Sequence, residues 1–171
     1  MGIKVKGFVG ESEMNDQERN SILAVIPLKG KFLEIGTFEG VSVGYWAKKR
    51  QDVQFISLDI FVKGSVGKWY KNKSNNQNLF IGTANEFLQV TRGHSFDIVF
   101  VDGDHSYEGC FNDLICANVF TKHYILAHDY GRKSPDGRHD GVKEAVDKFC
   151  KDFEWGILDK FCTTVLLRRK K

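Results

Sequence analysis

Residues 31–50 constrain this chain more than any other stretch. Phe32, Leu33 and Ile35 form a short apolar run, as a strand covered on both faces requires. Gly36 permits a sharp turn or a close backbone approach that a side chain would block. From Val41 onward no proline intervenes, and the run closes on Lys48, Lys49 and Arg50, which suits a helix C-terminus. A buried strand, a glycine turn and a helix start together leave backbone N–H groups aimed at whatever occupies the turn. The spacing is Glu34-x-Gly36-x-x-x-Gly40. It is not a dinucleotide fingerprint, and it is not a phosphate loop, because no Gly-Lys-Ser/Thr follows. An acid two residues ahead of the first glycine repels a pyrophosphate and attracts an ammonium group.

The rest of the chain repeats the alternation. A helix is expected over 15–26, started by Asn15 or Asp16 and ended by Pro27 and Gly30. Strands are expected over 54–59, 79–81, 95–102 and 123–129, with helices near 66–73, around Phe87 and Leu88, from Ser106, and from Asp140 as a cap. The strand at 95–102 is the most apolar and so the most central. The chain should close in a hairpin that turns at Asp159 and Lys160. Residues 2–10 read as a loose lead-in and 168–171 as a solvated basic tail. Strands that each lead into a helix predict an α/β fold, a Rossmann-like, doubly wound, mostly parallel seven-stranded sheet with a C-terminal antiparallel hairpin. With 171 residues and no repeat or composition shift, 1–171 is expected to be a single domain, 1–30 being a short lead-in and helix.

Composition narrows the class of protein. A net charge of +3 is too mild to argue for nucleic acid by itself. Cys110, Cys116, Cys150 and Cys162 contain no C-x-x-C pair and read as free thiols in a reducing compartment, so a cytoplasmic location is expected. The early apolar run at 22–28 lies behind charges and is broken by Pro27, unlike a signal peptide, and no run reaches membrane-span length.

In a doubly wound sheet a ligand sits at the carboxyl ends of the strands. The expected strand ends carry Glu34, Asp59, Asp102, His128 and Asp129. Any one could cap a helix, but together they mark a binding rim. Asp59 lies roughly 20 residues beyond the glycine turn, the distance at which an acid meets a ribose in mononucleotide folds. The densest segment is Asp102-Gly103-Asp104-His105, followed by Tyr107 and Glu108. Such a run can hold a divalent cation or place a base beside a substrate hydroxyl.

The Asp-Gly-Asp-His-x-Tyr-Glu run, the His128-Asp129-Tyr130 strand end and the later Gly141-Val142-Lys143 helix start, in that order after Glu34-x-Gly36, resemble the class I S-adenosylmethionine-dependent methyltransferases of the "methyltransferase 24" type. These are related to catechol-type and sugar or macrolide O-methyltransferases, and the likeness covers about residues 30 to 168. The resemblance implies S-adenosyl-L-methionine as cofactor. Glu34 would face its ammonium, Gly36 and Gly40 would line it, and Thr37 and Ser42 would offer hydroxyl contacts. Asp59 would bind the ribose, Thr83 and Ala84 would lie by the adenine, and Asp102 would sit under the methionine part. In metal-dependent relatives the corresponding positions, here Asp102, His128 and Asp129, bind magnesium. A histidine in that set shifts the preference toward manganese. Asp104 matches the base of some relatives, with His105 beside it as the other candidate.

The implied reaction is O-methylation of a hydroxyl on a small molecule such as a sugar, a nucleotide sugar or a natural product. Two basic segments are candidates for substrate contact: 62–73, with Trp69 and Tyr70, and 130–139, with Arg132, Lys133, Arg138 and His139. They suit an anionic substrate. Three alternatives stay open: a protein that binds S-adenosylmethionine without transferring its methyl, a nucleotide-sugar or NAD-type enzyme on a related sheet, and a nucleic-acid-directed methyltransferase that stacks bases on those aromatics.

Overall fold

The computed structural model describes residues 2–60, 65–91, 95–133, 135–137 and 139–170. Helix α1 (Asp16–Val25) precedes β1 (Gly30–Ile35), α2 (Val41–Lys49), β2 (Val53–Asp59), α3 (Ser65–Asn72), β3 (Gln77–Ile81) and α4 (Ala84–Val90). Then come β4 (Phe96–Val101), α5 (Tyr107–Phe120), β5 (Thr121–Ala127), α6 (Asp140–Asp152), β6 (Trp155–Phe161) and β7 (Thr164–Arg169). The starts follow from local chemistry. Asn15 accepts the Glu18 N–H, Thr83 and Glu86 form a reciprocal capping box, and Ser106 accepts the Gly109 N–H.

The strands form one seven-stranded sheet in the order β3-β2-β1-β4-β5-β7-β6. Strands β1 to β5 are parallel, and β7 runs antiparallel to both β5 and β6. This is the doubly wound, mostly parallel sheet with a terminal hairpin that the strand–helix alternation predicts. The chain winds outward from β1 to β3, then returns to β4 and winds the other way. The crevice at this reversal lies between the ends of β1 and β4.

Period-two alternation splits the core into two layers. Leu33, Ile35, Val99, Val101 and Ile125 pack with residues of α4, α5 and α6. Phe32, Phe100 and Leu126 pack with Ile22 of α1 and Trp46 of α2. Two residues past Phe32, Phe100 and Leu126 come Glu34, Asp102 and His128, so alternation turns these polar residues toward the α1 face. The parallel register also brings strand ends level. The Asp102 N–H donates to the Ile35 carbonyl at 2.8 Å and the His128 N–H to the Val101 carbonyl at 3.0 Å.

Three local expectations are corrected. The hairpin turns at Cys162 and Thr163, not at Asp159 and Lys160, which lie within β6. Cys162 takes a left-handed φ of 53°, and a bulge between Ile157 and Asp159 absorbs the register change. Asp140 is inside α6, and the cap position belongs to His139, which makes no side-chain cap bond. The lead-in is not loose. Ile3 and Ser12 pair in an antiparallel bridge, and the Asn72 side chain accepts from the Val9 N–H at 2.7 Å and donates to the Val9 carbonyl at 2.8 Å. The four cysteines are free thiols. Among the described residues no helix is long and apolar enough to cross a membrane.

Helix α1 is tied to the hairpin turn by one buried carboxylate. Glu18 Oε1 accepts from the backbone N–H and the hydroxyl of both Thr163 and Thr164, at 2.7–3.0 Å. Burial raises the Glu18 pKa, but the His128 charge and these hydroxyls outweigh it and hold it below the ordinary value. Glu18→Ala is expected to destabilise the fold by about 3 kcal/mol, because it strands buried donors and an imidazole. The loss should appear as a lower urea midpoint at neutral pH. Since the native pKa lies beneath the unfolded one, the stabilisation is present above the ordinary carboxyl range and fades as pH falls through it. An unchanged midpoint would remove this residue's role as anchor.

Candidate functional site

A cavity of about 770 Å³ opens at the carboxyl ends of β1, β2, β4 and β5. Of the residues expected at a cofactor site, Glu34, Gly36, Thr37, Ser42, Asp59, Thr83, Ala84 and Asp102 all line it, as do Asp104, His105, His128 and Asp129. Gly40 does not. It starts α2 with a left-handed φ of 70°, and a Cβ there would lie 2.4 Å from Trp69 Cδ1. Its lack of a side chain serves packing against Trp69, not the cavity wall.

The glycine turn is fixed from three sides. Gly36 has φ 85°, and a Cβ on it would meet the Asp102 carbonyl oxygen at 2.3 Å, so β1 and β4 approach as only glycine allows. Asp59 Oδ2 accepts the backbone N–H groups of Thr37 at 3.1 Å and Phe38 at 2.7 Å. The Thr37 hydroxyl accepts from the Trp69 indole at 3.2 Å. Glu34 is 2 % exposed and accepts from the Ser57 hydroxyl at 2.8 Å. Burial pushes its carboxyl up to about 8 against the pull of hydrogen bonds from Thr37 and Ser57. At pH 7 Glu34 therefore favours the neutral form.

The opposite wall is ionic. His128 Nδ1 donates to Asp102 Oδ1 at 2.9 Å and lies 3.4 Å from Asp129 Oδ1, while its Nε2 lies 3.7 Å from Glu18 Oε2. Burial opposes the charge on His128, but Asp102, Asp129 and Glu18 override it and raise its pKa well above the usual value. Burial likewise raises the pKa values of Asp102 and Asp129, and the His128 charge and hydrogen bonds bring both below the ordinary value. The donor atoms of Asp102, His128 and Asp129 lie within 4.8 Å of one another. Two carboxylates and one imidazole suit manganese better than magnesium.

Asp104 and His105 diverge although they are adjacent. Asp104 is exposed, and its Oδ1 accepts the Ser106 N–H at 2.8 Å above the first turn of α5. His105 Nε2 lies 3.5 Å from both Asp102 Oδ1 and Asp129 Oδ2, and its hydrogen bond to Asp102 raises its pKa.

The remaining sequence candidates separate. Trp69 is 1 % exposed under Gly40, so it offers no stacking face, whereas Tyr70 is exposed. Val62, Lys63 and Arg138 lie outside the described residues. Arg132 is committed to Asp129 at 3.0 Å and Glu13 at 2.9 Å. Several site residues escaped the sequence reading. Glu18 comes from a helix far ahead of the rim. His139, expected in a substrate loop, is buried with Nδ1 2.7 Å from Asp129 Oδ2. Gly2, Glu11, Ser12, Glu13 and Met14 of the lead-in also line the cavity. The Glu11 N–H donates to Glu39 Oε2, and the Ser12 and Ser42 hydroxyls lie 3.0 Å apart. The only available signal was composition, a short polar segment next to a helix that must face the rim.

Comparison with known proteins agrees with this architecture. The chain is 30% identical over 143 residues to the uncharacterized protein R132 of Acanthamoeba polyphaga mimivirus, covering 73% of this chain and 61% of that protein. The chain thus spans about three fifths of that relative's length. An O-methyltransferase from Bacillus cereus, solved in complex with SAH, matches with a TM-score of 0.64 and 14% identity over 88% of this chain and 77% of that one. CalS11, a TDP-rhamnose 3'-O-methyltransferase of calicheamicin biosynthesis, matches with a TM-score of 0.62 and 14% identity over 90% of this chain and 76% of that one. At these identities the structural likeness is one of fold. A family described as a methyltransferase domain matches residues 33–130. With more than half its length matched from β1 to the end of β5, this chain belongs to the methyltransferase-domain family.

Proposed function

We propose that this chain binds S-adenosyl-L-methionine in the cavity and transfers its methyl group to a hydroxyl of a small molecule, a sugar, nucleotide sugar or related natural product. The observation that carries this reading is the pairing of a buried acid, Glu34, beside a bare glycine turn with an ionic wall across the same cavity. Two fold neighbours, an O-methyltransferase solved with SAH and a TDP-rhamnose 3'-O-methyltransferase, support it. When bound, the cofactor supplies a sulfonium methyl that is already activated, so the chain must orient an oxygen and accept its proton.

In this reading Glu34 meets the cofactor's ammonium and Gly36 lets the backbone approach. Thr37 and Ser42 contact its polar groups. Asp59, already holding the turn, meets the ribose, Thr83 and Ala84 border the adenine, and Asp102 lies under the methionine part. Gly40 acts indirectly by seating Trp69 beneath the turn. Among the two candidate bases the geometry favours Asp104, an exposed carboxylate at the cavity edge. His105 faces two carboxylates, its hydrogen bond to Asp102 raises its pKa, and it positions the acceptor oxygen. With the cofactor bound, Asp104 would accept the proton that the acceptor hydroxyl loses on methylation. The described residues are proposed to form one functional unit. Nucleic acid is not favoured as the acceptor, because Trp69 is unavailable for stacking.

Two outcomes are expected. Glu34 is protonated in the ligand-free cavity up to about pH 8, while an adjacent ammonium favours the carboxylate. Binding therefore expels a proton, and S-adenosylhomocysteine affinity should rise up to about tenfold per pH unit toward pH 8, then level off. Calorimetry should show this slope in the wild type and a flat profile in Glu34→Gln. The same slope in both would exclude Glu34 as the ammonium partner. In turnover with a panel of hydroxylated sugars and phenols, Asp104→Asn should lower kcat by about 10²- to 10⁴-fold with S-adenosylhomocysteine affinity unchanged. If Asp104→Asn keeps wild-type turnover and His105→Ala abolishes it, the proton goes to His105. If both variants keep it, neither is the base.

A further inference from the structure

We propose that Arg132 is a positioning residue for the acceptor side of the cavity. Its guanidinium pins the lead-in, through Glu13, to the strand-end carboxylate of Asp129, and so sets where an acceptor lies against His105. The use of this pin rests on the methyl-transfer reading; its existence does not. In the sequence, Arg132 reads as a free cation for an anionic substrate. In the structure that charge is spent on two carboxylates of the chain itself.

One nitrogen serves both carboxylates. Arg132 Nη1 lies 3.0 Å from Asp129 Oδ1 and 2.9 Å from Glu13 Oε2, and its two hydrogens suffice for one bond to each. Burial opposes the guanidinium charge, but the hydrogen bonds and charges of Asp129 and Glu13 outweigh it and raise the pKa. The two ends differ. The Glu13 side chain is 49 % exposed and its bond is screened by water, whereas that of Asp129 is 1 % exposed and shielded. Backbone geometry fixes the shielded end. Asp129 and Gly131 are left-handed, with φ 58° and 72°. The Tyr130 N–H donates to the Thr163 carbonyl at 2.8 Å and the Arg132 N–H to the Asp129 carbonyl at 3.1 Å.

Glu13 is held on both sides along the chain. Met14 is buried, and its carbonyl accepts from the Arg19 guanidinium at 2.5 Å. Ser12 pairs with Ile3, and its hydroxyl lies 3.0 Å from that of Ser42. With the Glu11 bond to Glu39, these ties fasten the lead-in to the α2 side of the cavity, and Arg132 ties it to the β5 side. Glu13, Met14, His105 and Asp129 line the cavity, while Arg132 stands behind them. The guanidinium therefore reaches an acceptor through the groups it orients. The other oxygen of Asp129, Oδ2, lies 3.5 Å from His105 Nε2. A displacement of about 1 Å at a positioning group can cost about 10²-fold in rate.

The test uses the full chain with Arg132→Gln, Glu13→Gln and the double variant. Amide hydrogen exchange reports the pin without turnover. Each single variant should speed exchange of the Met14 N–H, which donates to Ser12 Oγ at 3.1 Å, by about two- to fivefold. In turnover with the hydroxylated panel, Arg132→Gln should lower kcat by about tenfold or more, with S-adenosylhomocysteine affinity unchanged. Glu13→Gln should act in the same direction, and the double variant should fall no further than Arg132→Gln alone. An Arg132 that anchored an anionic acceptor directly would give the opposite sign at Glu13: freeing the cation would raise kcat/KM for a sugar phosphate. That gain, unchanged exchange at Met14, wild-type turnover in both single variants, or losses that multiply in the double variant each overturn the proposal. If Arg132→Gln does not fold, Glu13→Gln, at a half-exposed position, carries both readouts. Wild-type protein that binds no S-adenosylhomocysteine loses the methyl-transfer reading, while hydrogen exchange still judges the pin.

Discussion

The structure depends on a buried imidazolium. His128, at the end of β5, is 4 % exposed and sits among Asp102 of β4, Asp129 beside it and Glu18 of α1. Through Glu18 the same chain of charges reaches the Thr163 and Thr164 hydroxyls in the hairpin turn. One cation therefore connects the central strand, its neighbour, the first helix and the terminal hairpin. Any one of these charges would be costly to bury alone. Together they offset one another, although His128 Nε2 stays 3.7 Å from Glu18 Oε2 without a hydrogen bond, and the arrangement forms where all four elements meet.

That requirement explains the asymmetry of the cavity. The side near β1 and β2 presents a neutral acid, hydroxyls and bare backbone. The side near β4 and β5 presents fixed charges already oriented by partners outside the cavity. A polar group held in place before a ligand arrives loses little on binding, which is what positioning chemistry demands. The lead-in adds a third wall, fastened by Asn72 and Glu39 and by burial of Val5 and Met14.

The strand–glycine–helix unit, the order of the elements and the rim of acids were legible because each is local. Alternation of Phe32, Leu33 and Ile35, the glycine after them and the cap at Ser106 act over a few residues. The hairpin turn was misplaced because Cys162 is an unusual residue for a left-handed position, and Asp159 with Lys160 gives the stronger local turn signal. Trp69 read as a surface aromatic because it stands among lysines. Only its partner Gly40, many residues away, shows why it is buried. Glu18 carries no local mark, and His139 is marked only by the basic segment around it.

The amino-acid sequence alone settles the α/β class, the parallel winding and which residues reach the strand ends, since period-two alternation and turn chemistry are properties of neighbouring residues. Tertiary structure decides which of those residues face one another. Whether a carboxylate such as Asp59 holds a turn, or an imidazole such as His128 carries a proton, depends on burial and on partners brought from distant segments, and desolvation exists only once those segments have packed.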